Sequence, residues 1–218
     1  MVERTARARP TTQGSSQMPS GGSTRSAVSR ARSVAEPTAT PGGGSVAALA
    51  AALAAALGQM VAGLSRKKKS QAQHVDKLSE HLDALRREAD ALTQAIDSDA
   101  ASYDAVMAAF KMPQGNATEI GAREATIQST SKGAADVPMK VAERAVALFE
   151  RLGQLEAIAA ASMKSDLQVA RLMAEAGARG AIANVEINLD GITDEKYVTA
   201  KRHIVTRLRD KLSATAMA

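Results

Sequence analysis

Apolar residues recur at helical spacing along most of the chain. Between Gln71 and Phe110 they fall every three or four positions, which is the repeat of a long helix with one buried side. Apolar or small-residue stripes, together with capping and turn residues, predict further helices over about 117–132, 136–152, 154–161, 167–189 and 194–213. Together these patterns predict an all-α fold, a multi-helix up-and-down bundle.

Polar residues predict where several of these helices begin. Asn116 with Glu119 makes a capping box, in which side chains satisfy backbone N–H groups of the first turn. Asp136, two residues before a proline, predicts the N-cap of a new helix. Ser165 or Asp166 predicts the cap of the helix that follows them.

One stretch differs from the others and organises the chain. Gly42, Gly43 and Gly44 precede Ser45, and alanine and leucine fill nearly every position from Val46 to Met60. Glycine loses backbone entropy in a helix and serine is a good N-cap, so a loop should open here onto a helix N-terminus. The free N–H groups and partial positive charge of such an end suit an anionic or polar ligand. A tight turn before a buried helix explains the same residues.

The alanine-rich helix behind the glycines has no clearly polar side. A helix that is apolar all round is buried, so we expect it at the centre of the bundle, where its alanines admit close neighbours. A membrane span is the alternative, but it needs about 20 apolar residues, and this run is a little shorter. We therefore expect no membrane association.

Composition excludes several kinds of site. The chain has no cysteine, which excludes disulfides, thiolate metal ligands and cysteine nucleophiles. Its three histidines are scattered along the sequence, so no metal site is expected. Aromatic residues make up 2% of the chain, which favours helices over large sheets.

Positive charge is concentrated at the N-terminus. Residues 1–36 hold six arginines against Glu3 and Glu36, so most of the formal net charge of +5 belongs to this segment. Its Arg, Ser, Gly and Pro content, without apolar periodicity, predicts a disordered basic tail before a helical domain over 37–218. We expect a cytoplasmic protein whose folded domain does not bind nucleic acid. An organellar transit peptide is the alternative for the tail.

Three groups of polar residues are candidates for chemistry. Asp99 continues the apolar seam of the long helix, and a carboxylate there is costly unless it is paired, so it marks either a site or a structural partner. Lys68 and Lys69 belong to a basic run with two explanations. It is either a solvent-exposed helix C-terminus, where positive charge suits the helix dipole, or a group that attracts an anionic substrate. Asn184 and Asn188 share one helix face and need partners from another helix, a dimer mate or a substrate.

Several of these stretches resemble one enzyme family. The run Pro41–Ala50, with its Pro-Gly-Gly-Gly-Ser opening, resembles the start of the cyclodeaminase/cyclohydrolase family of folate enzymes. The likeness extends from about Pro37 to about Leu208. Its other matching stretches are Asp99–Met107, Ser165–Ala170, Gly180–Leu189 and Ile192–Glu195.

The resemblance implies a substrate and a set of roles. The substrate would be a tetrahydrofolate carrying a one-carbon unit, with no separate cofactor, and the protein would be a homodimer. Asp99 and Asp166 would handle protons or hold pterin nitrogens, and Lys68 or Lys69 would assist or bind a substrate carboxylate. The residues implied to bind the ligand are Gly42, Gly43, Gly44, Ser45, Lys69, Ser165, Asn184 and Asn188.

The resemblance implies two reactions. One is hydrolysis of 5,10-methenyltetrahydrofolate to 10-formyltetrahydrofolate, which we prefer because this length leaves no room for a formiminotransferase domain. The other is the cyclodeaminase reaction of 5-formimidoyltetrahydrofolate, which releases ammonia and is favoured by the likeness at Ser165–Ala170 and Ile187–Glu195. The alternative of a different class is a non-catalytic helical scaffold protein, which would have no affinity for folate.

Overall fold

The computed structural model describes residue 29 and residues 31–216. The chain divides after Glu36, and the part from Pro37 onwards forms a helical bundle. Most of the predicted basic tail lies outside the described residues. Within the tail, residues 31–35 are helical.

Five long helices account for most of the described residues. They are α1 (Gly43–Ser65), α2 (Val75–Phe110), α3 (Ala117–Glu156), α4 (Lys164–Leu189) and α5 (Glu195–Ala216), with short 3-10 helices at Lys69–His74 and Ala161–Met163. Along each pair of successive helices, the side-chain contacts join increasing residue numbers of one helix to decreasing residue numbers of the next. Successive helices therefore run antiparallel. The predicted all-α, up-and-down architecture is confirmed.

The alanine-rich helix α1 lies at the centre, packed against α2, α3 and α4. Ala48, Ala51 and Ala55 on its inner sides are fully buried. Small residues let the backbones approach closely there, since a Cβ on Gly177 of α4 would lie 2.9 Å from the carbonyl oxygen of Ala47. The predicted central position of this helix is therefore confirmed.

One face of α1 is exposed, which corrects the expectation that the helix is buried on all sides. Val46, Leu53, Met60 and Leu64 are 39% to 48% exposed, and we call these four residues the α1 stripe. Helix α5 packs mainly on α3 and α4, away from this face. The alanines bring three helices close on the inner sides, and no helix of the described bundle covers the outer one.

Among the described residues, one helix is long and apolar enough to cross a membrane, and that helix is α1. Half of its most apolar window is buried inside the bundle. The core helix of a bundle meets the same criteria of length and composition, so this finding is weak evidence for a span.

Helix α3 passes through the proline at position 138 as a single helix of 40 residues. The predicted break there is wrong, because Asp136 lies in mid-helix and is not an N-cap. The predicted separate helix over 154–161 is also wrong, since α3 continues to Glu156.

The predicted caps at the N-termini of α3 and α4 compare differently with the structure. The predicted N-cap at Asn116 is confirmed, because its side-chain oxygen accepts the N–H of Glu119 at 3.0 Å. The reciprocal bond of a capping box differs, since the Glu119 carboxylate accepts the N–H of Gly115 at 2.7 Å and not that of Asn116. Helix α4 begins at Lys164 without a side-chain cap. The prediction that Ser165 or Asp166 caps it is therefore wrong.

Tyr197 anchors α5 to α3. Its hydroxyl donates to a carboxylate oxygen of Asp136 at 2.7 Å, and Lys201 forms an ion pair with the same carboxylate. Burial and the neighbouring carboxylate raise the pKa of the Tyr197 phenol, which stays protonated as a donor. Burial alone would raise the pKa of Asp136, but the hydrogen bonds from Lys201 and Tyr197 outweigh it and lower that pKa.

Candidate active site

A cavity of about 330 Å³ lies at the N-terminal end of α1. It is bounded by the segment before α1, the first turn of that helix, the C-terminal part of α2, the middle of α3 and the end of α4. The lining residues are Ala39, Thr40, Gly42, Gly43, Gly44, Asp99, Ser102, Tyr103, Val106, Ala134, Asn184 and Asn188.

The glycines form the first turn of α1 rather than a loop before it. The helix begins at Gly43, with Gly42 at the N-cap, and the Gly42 carbonyl accepts the N–H of Val46 at 3.1 Å. The prediction that Ser45 is the N-cap is therefore wrong. The N–H groups of Gly43, Gly44 and Ser45 precede the first helical hydrogen bond, so they have no partner within the helix. Gly43 and Gly44 bring that end to the cavity.

Ser45 holds the carboxylate of Asp99. It is 2% exposed, and its hydroxyl donates to Oδ2 of Asp99 at 2.8 Å, with the carbonyl oxygen of Ile96 at 3.2 Å. A side chain so enclosed orients its neighbour rather than contacting a ligand itself. Asp99 is half-buried and lines the cavity, so it presents a fixed carboxylate there.

Gly44 makes room for that carboxylate. A Cβ built on Gly44 would lie 2.2 Å from Oδ1 of Asp99, well inside van der Waals contact. Only glycine at this position lets the carboxylate lie against the first turn of α1. The partial positive charge of the helix N-terminus attracts the carboxylate in this position.

Asn184 packs against the same helix end. Its Nδ2 donates to the Gly180 carbonyl oxygen one turn earlier at 2.9 Å, and a Cβ on Gly43 would lie 3.2 Å from that nitrogen. Asn184 therefore adds an amide to the cavity wall next to the glycine-opened end of α1.

Asn188 satisfies a carbonyl that a proline leaves open. Pro138 has no N–H, so the Ala134 oxygen four residues earlier lacks its helical partner. Asn188 Nδ2 donates to that oxygen at 2.8 Å. This bond ties α4 to α3 beside the cavity and explains how α3 continues through a proline.

We expect Asn188→Leu to destabilise the protein by about 1 kcal/mol or more, the cost of leaving a partly buried carbonyl unpaired. In a Pro138→Ala background the restored N–H satisfies Ala134, so the same substitution should cost less. Urea unfolding of the four chains in this cycle gives each free energy of unfolding. An equal cost of Asn188→Leu in both backgrounds would contradict this role for Asn188.

The other predicted site residues lie at the opposite end of the bundle. Lys68 and Lys69 follow the C-terminus of α1, a helix of 23 residues that spans roughly 35 Å. Ser165 and Asp166 lie in the first turn of α4, roughly 28 Å along that helix from Asn184. Within one chain, the structure does not bring these four residues to the cavity.

Sequence reasoning did not assign the apolar wall of the cavity to the site. Tyr103 and Val106 continue the seam of α2 beyond Asp99, and they line the cavity with Ala134 of α3. The seam itself was the available signal, because the side chain that follows Asp99 by one helical turn shares its face.

The chain matches a protein family and several named proteins. Residues 30–207 match the family model described as Formiminotransferase-cyclodeaminase. The chain is 37% identical over 181 residues to formimidoyltransferase-cyclodeaminase from Gallus gallus, which covers 83% of this chain and 33% of that protein. It is 36% identical over 164 residues to methenyltetrahydrofolate cyclohydrolase from Methylorubrum extorquens, which covers 72% of this chain and 76% of that protein.

A solved structure shares the fold. Formiminotetrahydrofolate cyclodeaminase from Thermotoga maritima aligns with a TM-score of 0.75 and 28% identity, over 84% of this chain and 87% of that chain. The chain spans about a third of the length of the formimidoyltransferase-cyclodeaminases that it matches. The resemblance seen in the sequence is confirmed by these matches, and the chain belongs to the formiminotransferase-cyclodeaminase family.

Proposed function

We propose that this chain hydrolyses 5,10-methenyltetrahydrofolate to 10-formyltetrahydrofolate. One observation carries the proposal: the Asp99 carboxylate is fixed by Ser45 at the edge of a cavity. Of the described residues that line this cavity, Asp99 is the charged one. The methenyl bridge of the substrate is cationic, so the charges are complementary.

The proposed chemistry uses Asp99 as a proton carrier. The carboxylate takes a proton from water as the water oxygen attacks the bridge carbon, which becomes tetrahedral and bears a hydroxyl. The bond from that carbon to N5 then breaks, and Asp99 returns its proton to N5. The hydroxyl proton passes to solvent, which leaves the formyl group on N10. The folate is the substrate, and the proposal includes no separate cofactor.

Similarity to the Methylorubrum extorquens cyclohydrolase supports this choice of reaction, since the match covers most of both chains. The second candidate is the cyclodeaminase reaction, in which ammonia leaves a formimidoyl group on N5. The likeness to the Thermotoga maritima cyclodeaminase favours it. The same carboxylate could exchange protons with the departing nitrogen.

A spectroscopic assay distinguishes the two reactions. We expect the purified protein to accelerate the loss of methenyl absorbance in water, relative to a no-enzyme control for spontaneous hydrolysis. A rise of the same absorbance from 5-formimidoyltetrahydrofolate, without faster hydrolysis, would assign the cyclodeaminase reaction instead. Inactivity with both substrates would favour the non-catalytic scaffold.

We also propose that the protein is a homodimer that pairs through the α1 stripe. Val46, Leu53 and Met60 are seven residues apart in turn, as in a helix seam, and each is at least 40% exposed. A row of exposed apolar side chains without an intervening charge suits a self-complementary interface.

If the α1 stripe forms the dimer interface, one charge placed in the stripe should change the oligomeric state. We expect Leu53→Glu to shift the protein from dimer to monomer in sedimentation equilibrium, because two-fold pairing would bring the new charges into an apolar interface. Lys77→Glu, on an exposed position of α2, is the control and should leave the dimer intact. A monomeric wild-type protein at micromolar concentration would contradict the proposal.

A further inference from the structure

We propose that Tyr103 is the stacking face for the flat ring of the substrate, an inference that rests on the proposed folate reaction. Tyr103 lies one helical turn beyond Asp99 on α2, so both side chains project from the same face. It lines the cavity and is 39% exposed. The ring is therefore available to a ligand whose reacting carbon lies at Asp99.

The other aromatic residues of the chain are occupied elsewhere. The hydroxyl of Tyr197 is bonded to Asp136, and two lysines lie over its ring. Phe149 is buried beneath the guanidinium of Arg171. Phe110 is exposed at the end of α2, where Arg123 lies over its ring, and it does not line the cavity. Tyr103 differs from these three residues because its side chain lines the cavity.

Tyr103 makes no side-chain hydrogen bond, ion pair or ring contact with the described residues. A large aromatic side chain exposed beside a cavity, without a partner, leaves an apolar face unused. Gly43 and Gly44 line the same cavity without side chains, so a flat ring can approach the backbone there. An aromatic face, a carboxylate and an open glycine turn in one cavity suit a planar, nitrogen-rich heterocycle.

Stacking predicts a difference between two substitutions at Tyr103. Tyr103→Leu removes the ring and should weaken binding of 5-formyltetrahydrofolate, a stable substrate analogue, by about tenfold, the effect of losing one stacked base. Tyr103→Phe keeps the ring and should bind within about twofold of wild type. Phe110→Leu, two turns further along α2, is the matched control and should change neither binding nor turnover. Calorimetry gives each Kd.

The kinetic constants for the methenyl substrate add a second readout. A stacked ring contributes equally to the bound substrate and the transition state, so Tyr103→Leu should raise KM while kcat stays close to wild type. Circular dichroism of each variant checks that the helices are intact.

The possible outcomes separate two failures. Wild-type protein that neither binds 5-formyltetrahydrofolate nor turns over either folate would overturn the proposed function together with the stacking role. Wild-type protein that binds, with Tyr103→Leu unchanged in Kd and KM, would overturn the stacking role alone. Equal weakening by Tyr103→Phe and Tyr103→Leu would assign the effect to the hydroxyl and also overturn stacking.

Discussion

Asp99→Asn should lower kcat for methenyltetrahydrofolate hydrolysis by about two to four orders of magnitude, the usual contribution of a general acid–base group. Asparagine has nearly the same shape as aspartate, and its side-chain oxygen can still accept the Ser45 hydroxyl. It cannot take a proton from water. Steady-state rates of methenyl loss measure the effect, and a Kd for 5-formyltetrahydrofolate tests whether binding survives.

Asp104→Asn is the matched control for this experiment. Asp104 is an exposed carboxylate on the same helix, five residues beyond Asp99, and it does not line the cavity. We expect its variant to retain wild-type kcat. Full turnover by Asp99→Asn would remove Asp99 from the chemistry, whereas equal losses in the two variants would point to the charge of the helix as a whole.

Gly44→Ala should lower kcat by about a hundredfold, because small misplacements of a catalytic group have effects of that size. The added methyl would occupy the space 2.2 Å from Oδ1 of Asp99, so the carboxylate must move away from the first turn of α1. In an unobstructed helix the same change stabilises by roughly 0.5–1 kcal/mol. The kinetic assay and the thermal midpoint together measure both effects.

Gly63→Ala provides the control on the same helix. A Cβ on Gly63 meets nothing within 4 Å, so this variant should keep its activity and be at least as stable as wild type. If Gly44→Ala were as active as Gly63→Ala, the close fit between the glycine and the Asp99 carboxylate would have no role in catalysis.

Most of the fold was predicted from the sequence, and so were the two main features of the cavity, the Asp99 carboxylate and the glycines at the N-terminus of α1. The apolar seam of α2 was long enough to define that helix, and Asp99 was conspicuous as a carboxylate on it. The glycines marked the end of α1 beside the cavity. Ser45 was assigned to the same cavity, but its hydrogen bond to Asp99 was not predicted, because local N-cap chemistry gave no sign of a partner 54 residues away.

The course of α3 could not be predicted from its local sequence. A proline next to an aspartate is ordinarily a helix start, since proline removes a hydrogen bond from a helix interior. Here Asn188, from another helix, supplies the missing donor. Local rules fail when a distant residue satisfies the group that a local feature leaves unpaired.

The position of the basic run could have been predicted from helix geometry. Lys68 and Lys69 follow a helix of 23 residues, and the rise of about 1.5 Å per residue separates them from the glycines by the length of the bundle. By contrast, the exposed α1 stripe could not be predicted, because an alanine-rich helix gives no polar side to mark which face stays uncovered.

A crystal structure with bound 5-formyltetrahydrofolate tests the central claim most directly. We predict that the ligand occupies the cavity at the N-terminus of α1, with its N5 substituent within about 3.5 Å of the Asp99 carboxylate. A ligand bound at the opposite end of the bundle, against Lys68 and Asp166 and without contact to Asp99, would contradict the claim.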